Sequence, residues 1–123
     1  MSIALASASL DELERRTILR FVELLDDRLG AGLVAVWLYG SRARGEAPHP
    51  ESDVDLMVVV RGGDADADAV EDALFDAAAE QGSNAHRFST QIVTPTWLVE
   101  RRAIKSFFIG EVDRDKIILR GEP

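Results

Sequence analysis

The chain has 123 residues, of which 46% are hydrophobic and 29% are charged, a composition typical of a globular domain that can bury its own core. Fourteen lysines and arginines against 22 aspartates and glutamates give a net charge of −8, which argues against a broad nucleic-acid-binding surface because contacts to many phosphates require clustered cations. The sequence has no cysteine, which excludes disulfides, thiolate metal sites and cysteine nucleophiles.

Apolar periodicity predicts helices and strands that alternate along the chain. In chain order the predicted elements are a helix from Ser9 that ends at Gly30 and Gly32, strands over Leu33–Tyr39 and Asp53–Val60, a helix from Asp68 to about Gln81, a strand over Arg87–Val93, a helix from Thr94 to about Lys105, a helical turn before a polar corner at Asp113–Lys116, and a strand over Ile117–Leu119. This order predicts a small α/β or α+β sandwich.

Side-chain signals predict the helix ends and the core. Ser9 with Glu12 and Asp68 with Glu71 have the spacing of capping boxes, and Thr94 before a proline is typical of an N-cap. The aromatic residues that we assign to the core rather than to base stacking are Trp37, Trp97, Phe107 and Phe108. The helix after Thr94 is predicted to pack through Trp97, Leu98 and Ile104, with Arg101, Arg102 and Lys105 on its solvated face.

The sequence shows no apolar run near the ~20 residues that a membrane-spanning helix needs. The first residues, MSIALASASL, lack the basic start and the long apolar stretch of a signal peptide. No internal repeat or linker divides the chain, and the histidines, His49 and His86, have no spaced partner that would indicate a zinc site. We therefore expect one cytoplasmic domain over residues 1–123.

The segment Gly40–Gly45 follows the first predicted strand and has residue types suited to holding an anion. Gly40 allows a ligand to approach the backbone closely, and Ser41 offers a hydroxyl and a backbone N–H where a helical turn would begin. Arg42 and Arg44 add positive charge beside this turn. Taken by itself, a glycine-serine pair after a strand is more often an ordinary turn.

A pair of aspartates, Asp53 and Asp55, stands at the head of the second predicted strand. Alternate strand residues face the same side, so the two carboxylates would project together, ~6–7 Å apart along the strand. Two neighbouring acids at a buried strand repel each other, and a hard divalent cation such as Mg²⁺ would relieve that repulsion. The alternative is that Asp53 ends a turn and Asp55 lies at a solvated strand edge.

Together, Gly40-Ser41, eleven intervening residues and Asp53-x-Asp55 on a strand resemble the signature of the DNA polymerase β-like nucleotidyltransferase superfamily. The stretch LYGSRARGEAPHPESDVDLMVV is similar to minimal standalone members, and the resemblance is sharp over residues 34–60. One residue more than usual separates the two parts, and we place it in the loop at residues 48–50. The resemblance implies a minimal nucleotidyltransferase fold with a small mixed sheet flanked by helices.

The same resemblance implies nucleotidyl transfer. The Gly40–Ser41 turn would hold the triphosphate of an NTP, most naturally ATP, and Asp53 and Asp55 would be catalytic ligands of Mg²⁺ or Mn²⁺. Arg42 would pair with a phosphate, while a solvated loop position is an equal alternative for it. For Arg44 the solvated position is the preferred interpretation.

The chain departs from the family's pattern on the third predicted strand, where active members carry another carboxylate. Arg87–Val93 contains no acid, and Gln91, or less readily Ser89, stands near the expected position. Three explanations stay open. Chemistry could run slowly with one firmly held metal, Glu100 or Glu111 could supply the acid, or the domain could bind a nucleotide without transferring it.

The resemblance also implies a separate partner protein. A small helical HEPN-type toxin is the expected partner, and the transferase would act as its antitoxin by adenylylating it. Whether the chain forms a homo-oligomer is left open. A catalytically silent nucleotide-binding or partner-binding module is the alternative function, and a small α/β domain whose aspartate pair is merely structural is a third.

Overall fold

Helices and strands alternate through the parts of the chain that the computed structural model describes, residues 7–47 and 53–121. In chain order they are α1 (Glu12–Leu29), β1 (Leu33–Tyr39), α2 (Gly40–Ala43), β2 (Val54–Val60), α3 (Ala67–Gln81), β3 (Phe88–Val93), α4 (Pro95–Ala103), α5 (Phe107–Asp115) and β4 (Ile117–Gly121). Short 3₁₀ turns precede β1, α3 and β3. The predicted loop insertion at residues 48–50, with His49, lies outside the described residues.

The two most apolar segments of the chain become the two central strands of a four-stranded sheet. The strand order is β3-β2-β1-β4, with β2 and β3 parallel and the other two pairs antiparallel. Both β1 and β2 are buried along nearly their whole length, whereas β3 and β4 are edge strands with mixed burial. The predicted α/β fold, a small mixed sheet flanked by helices, is therefore confirmed.

Helices cover both faces of the sheet and divide the core into two clusters. Because successive strand residues point to opposite faces, alternate residues of β1 and β2 enter different clusters. Val36, Leu38, Leu56 and Val58 pack beneath α1 and α3, and Trp37, Tyr39, Met57 and Val59 pack beneath α4 and α5. Asp55 continues the second set, so it belongs to the face that α4 and α5 cover.

The predicted capping box at the start of α1 is wrong by two residues. Asp11, not Ser9, is the N-cap: its carboxylate accepts from the Glu14 backbone N–H at 2.7 Å, and the Glu14 side chain accepts from the Asp11 backbone N–H at 3.0 Å. The backbone of Ser9 is instead paired with that of Arg42. The sequence contains two overlapping capping-box spacings, Ser9 with Glu12 and Asp11 with Glu14. Tertiary contacts of Ser9 and Glu14 favour the second of them.

The capping box predicted at Asp68 and Glu71 is also wrong. A 3₁₀ turn precedes α3, and the helix begins at Ala67, so Asp68 is already inside it. Glu71 accepts from the Thr90 hydroxyl on β3 at 3.2 Å. The end of this helix agrees with the prediction, because Gly82 adopts the left-handed conformation that favours glycine.

The C-terminal third differs most from the prediction. Thr94 is the N-cap of α4 as predicted, but the predicted polar corner at Asp113–Lys116 lies mostly within α5. Leu98 is buried, whereas Ile104 is 68% exposed and Phe107, assigned to the core, is 81% exposed. The apolar spacing along one continuous helix predicts that these side chains are buried. The chain turns between α4 and α5, so the spacing does not continue across that turn.

We predict that Asp11→Ala lowers the free energy of unfolding by about 1 kcal/mol, because it removes the side chain that caps α1. Ser9→Ala is the matched control and should change stability by less than about 0.5 kcal/mol, since only the backbone of Ser9 is engaged. Urea denaturation of both variants measures the difference. Equal losses in the two variants would contradict this choice of N-cap.

Candidate functional site

The glycine-serine turn and the aspartate pair meet at one edge of the sheet. β1 and β2 are antiparallel with Tyr39 opposite Asp55, so the end of β1 lies beside the start of β2. The chain passes from Tyr39 directly into α2, whose first residues are Gly40 and Ser41. The sheet therefore brings together two sequence features that a long loop separates in the chain.

Gly40 is the point of closest approach between the two features. Its φ is +77°, a conformation that side chains disfavour, and a Cβ atom at this position would collide with Oδ2 of Asp55. The absence of a side chain thus lets the α2 backbone pass directly over the carboxylate.

The charge of Asp53 acts on the carboxyl group of Asp55. Asp53 is exposed and Asp55 is half-buried. Burial, and after it the charge of Asp53, raises the pKa of the Asp55 carboxyl above its ordinary value, while the positive charges of Arg42 and Arg44 oppose that rise. Asp55 is thus an acid held where ionisation is unfavourable unless a cation is near.

Hard oxygen ligands at this position suit Mg²⁺ or Mn²⁺. The described residues contain no cluster of three or more acidic, histidine or cysteine side chains that could hold a metal ion. The protein would therefore supply two carboxylates, and the remaining ligands would come from water and from a bound anion. Two carboxylates beside the Gly40–Ser41 turn fit that division.

The family assignment comes from comparison with known proteins. Residues 18–118 match the model of a family described as nucleotidyltransferase domain. The chain belongs to this family. No curated protein matches the sequence of this nucleotidyltransferase domain, and among its described residues no helix is both long and apolar enough to cross a membrane.

Two solved structures resemble the nucleotidyltransferase domain. A toxin–antitoxin structure with AMP-PNP has a TM-score of 0.52 and 22% sequence identity, and the match covers 84% of this chain and 72% of that one. A proposed nucleotidyltransferase from Sulfolobus solfataricus has a TM-score of 0.46 and 20% identity over 99% of this chain and 90% of that one. At this level of identity, the first of these similarities shows a shared fold.

Arg42 of the nucleotidyltransferase domain is buried, with a side chain 2% exposed. Its Nη1 donates to Glu14 Oε1 at 2.8 Å and to the Ser9 carbonyl at 3.0 Å. The solvated position that we considered for Arg42 is therefore wrong. A contact between Arg42 and phosphate stays a prediction, and it would require the ion pair with Glu14 to open.

The buried position of Glu14 is not predicted by the local sequence pattern. Glu14 follows an apolar helix position and reads as a solvated charge, yet its side chain is 4% exposed. The signal that could have found it is the second capping-box spacing, Asp11 with Glu14, which places a carboxylate on the inner side of the first helical turn. Arg44, in contrast, pairs with Glu46 and Asp115 at the surface, as a solvated loop arginine would.

The missing acid on β3 is replaced by neutral side chains. Parallel pairing sets Ser89 beside Asp55 and Gln91 beside Met57. Paired residues in neighbouring strands share a face, so Ser89 is the β3 residue next to the aspartate pair. Of the two acids considered as substitutes, Glu100 lies exposed on α4, while Glu111 on α5 lines a cavity next to Gly40.

That cavity, of about 110 Å³, lies between α2 and α5. Its lining residues are Tyr39, Gly40, Arg44, Phe108, Glu111 and Val112. The rings of Tyr39 and Phe108 meet edge to face with centroids 5.8 Å apart, so Phe108, which we assigned to the core, is instead partly exposed at the cavity wall. Burial, and after it the charge of Asp55, raises the pKa of Tyr39 to about 12, so the phenol stays neutral.

We predict that Asp55→Asn raises Tm at neutral pH in the presence of EDTA. The folded-state pKa of Asp55 lies above its ordinary value of 3.8, so the stability that the neutral acid contributes is present below pH 3.8 and is lost as pH rises through the folded-state pKa. Asparagine cannot ionise and keeps that contribution. Thermal unfolding followed by circular dichroism measures it.

The advantage of the Asp55→Asn variant over the wild type should diminish as pH falls through the folded-state pKa of Asp55, and it should be gone below pH 3.8. Asp72→Asn, an exposed position on α3, is the control and should leave Tm unchanged. A lower Tm for Asp55→Asn at neutral pH would show that ionised Asp55 stabilises the fold.

Proposed function

We propose that this protein is a Mg²⁺-dependent nucleotidyltransferase that transfers a nucleotide, AMP from ATP in the first instance, to an acceptor. The observation that carries the proposal is the convergence of Gly40 and Ser41 with Asp55 at the junction of β1 and β2. A turn of glycine and serine beside two carboxylates suits a triphosphate that arrives with a divalent cation.

Each residue of the site has a proposed role. Gly40 and Ser41 bind the triphosphate through backbone N–H groups and the serine hydroxyl, and Asp53 and Asp55 hold the metal. When bound, Mg²⁺ or Mn²⁺ would neutralise charge on the phosphate oxygens. The Gly40–Ser41 turn would orient the α-phosphorus for in-line attack.

The reaction forms a bond between an acceptor oxygen and the α-phosphorus, breaks the bond to pyrophosphate and releases the proton of the acceptor hydroxyl. A base must take that proton, and Ser89 beside Asp55 cannot serve at neutral pH. We propose Glu111 for this role because it lines the cavity next to Gly40. Glu100 lies exposed on α4 and does not line that cavity.

We propose a protein acceptor, a HEPN-type toxin that this protein modifies as its antitoxin. The proposal follows from the motif resemblance, and it is supported by a structure of similar fold that is a toxin–antitoxin with AMP-PNP. The competing function is a silent nucleotide-binding module. Neutral side chains along the whole of β3 favour that alternative.

The nucleotide site is tested by calorimetry of ATP with and without Mg²⁺. We expect the wild type to bind ATP only with Mg²⁺, and Asp55→Asn to weaken that binding by about tenfold or more, because it removes a charged metal ligand. Asp72→Asn should bind like the wild type. Binding that needs neither Mg²⁺ nor Asp55 would remove the basis of both nucleotide functions.

Transfer is tested with ATP labelled at the α-phosphate and the product of the neighbouring gene. We expect label on that protein with Mg²⁺ or Mn²⁺. Glu111→Gln should reduce the transfer rate by about a hundredfold, the usual contribution of a general base, whereas Glu100→Gln should leave it unchanged. Nucleotide binding without any label on the partner would identify the silent module.

A further inference from the structure

The carboxylate of Glu14 joins three segments of the chain that surround the candidate site. Oε1 accepts from Nη1 of Arg42 at 2.8 Å and from the Asp11 backbone N–H at 3.0 Å, and Oε2 accepts from Nη2 of Arg87 at 3.0 Å. Asp11 starts α1, Arg42 belongs to α2, and Arg87 immediately precedes β3. One side chain on α1 therefore contacts the turn that carries Ser41 and the residue that leads into the strand carrying Ser89.

Contacts with Ser9 hold Arg42 from a second side. The Ser9 backbone N–H donates to the Arg42 carbonyl at 2.8 Å, and the Arg42 guanidinium donates to the Ser9 carbonyl at 3.0 Å. Both ends of Arg42, its backbone and its guanidinium, are thus fixed against the segment that leads into α1. Because α2 has four residues, fixing Arg42 also fixes the orientation of its neighbour Ser41.

Because Glu14 and Arg42 are both buried, their ion pair can adopt only a few geometries. Burial by itself would raise the pKa of Glu14, but hydrogen bonds from Arg42 and from the Asp11 backbone, with the charge of Arg42, keep it below its ordinary value, so the carboxylate is ionised at neutral pH. A buried ion pair tolerates few alternative arrangements, because each charge needs its partner at hydrogen-bond distance. The pair therefore restricts where α2 can lie.

We propose that Glu14 is a positioning residue for nucleotide binding: through the buried Arg42, it sets the Gly40–Ser41 turn relative to Asp55. This inference rests on the proposed nucleotidyltransferase function and adds a determinant on α1, outside the signature motif. It differs from a direct contact between Arg42 and phosphate. In a direct contact Glu14 competes with the nucleotide for the guanidinium, whereas in positioning Glu14 assists binding.

The two roles of Arg42 predict opposite effects of Glu14→Gln on the Kd of Mg·ATP. If Glu14 positions the turn, the variant should bind about tenfold or more weakly, because the neutral amide holds the guanidinium less firmly. If Arg42 contacts phosphate directly, releasing it from Glu14 should leave the Kd unchanged or lower it. Calorimetry below the Tm of each variant distinguishes these outcomes.

Glu80→Gln is the matched control, since it makes the same substitution in the exposed ion pair that joins α3 to Arg20 on α1. The variant should bind Mg·ATP like the wild type. In amide NMR spectra without nucleotide, Glu14→Gln should shift the signals of Gly40 and Ser41 and leave those of α3 in place. Unshifted Gly40 and Ser41 signals would overturn the inference.

A double variant, Glu14→Met with Arg42→Met, keeps the test decisive if the single variant is poorly folded. Two apolar side chains of similar length can restore the stability lost with one buried charge. A merely structural role would then restore the Kd along with Tm, which would overturn the inference, whereas restored Tm with weak binding would exclude a merely structural role. A wild type that does not bind Mg·ATP would refute the proposed function itself, and equal binding by wild type and Glu14→Gln would refute only the role of Glu14.

Discussion

The antiparallel register of β1 and β2 is the constraint on which the candidate site depends. With Tyr39 opposite Asp55, the next residue along the chain, Gly40, lies against the Asp55 carboxylate. A shift of the register by one residue would turn Asp55 toward α1 and α3, where the core is apolar, and would separate it from the turn. The apolar side chains on both faces of the two central strands make such a shift unfavourable.

A line of alternating charges connects this site with the opposite side of the sheet. Asp55 is half-buried beside Asp53, and the charge of Arg42 lowers the cost of ionising it. Arg42 is itself buried and needs Glu14, which in turn accepts from Arg87. Each buried charge is therefore compensated by the next one, and the electrostatics of the site are linked to the stability of the α1 junction.

The two faces of the sheet differ in how completely they are covered. Long helices, α1 and α3, close one face with large buried side chains, including Phe21, Leu25 and Leu74. The shorter α4 and α5 cover the other face and leave Ile104 and Phe107 exposed and the small cavity at Tyr39 open. The candidate site lies on the less completely covered face, because Asp55 points to the side of the sheet that α4 and α5 cover.

The sequence by itself determined the central strands, the glycine-serine turn and the aspartate pair, because each is expressed in the types and spacing of a few neighbouring residues. The tertiary structure decided which capping box forms, where α5 lies and which partner Arg42 takes. Glu14 and Arg42 are 28 positions apart, and no local pattern relates them. Their pairing depends on how α1 packs across the sheet, and a helix contributes its inner charges to a site only after packing has fixed which of its faces is buried.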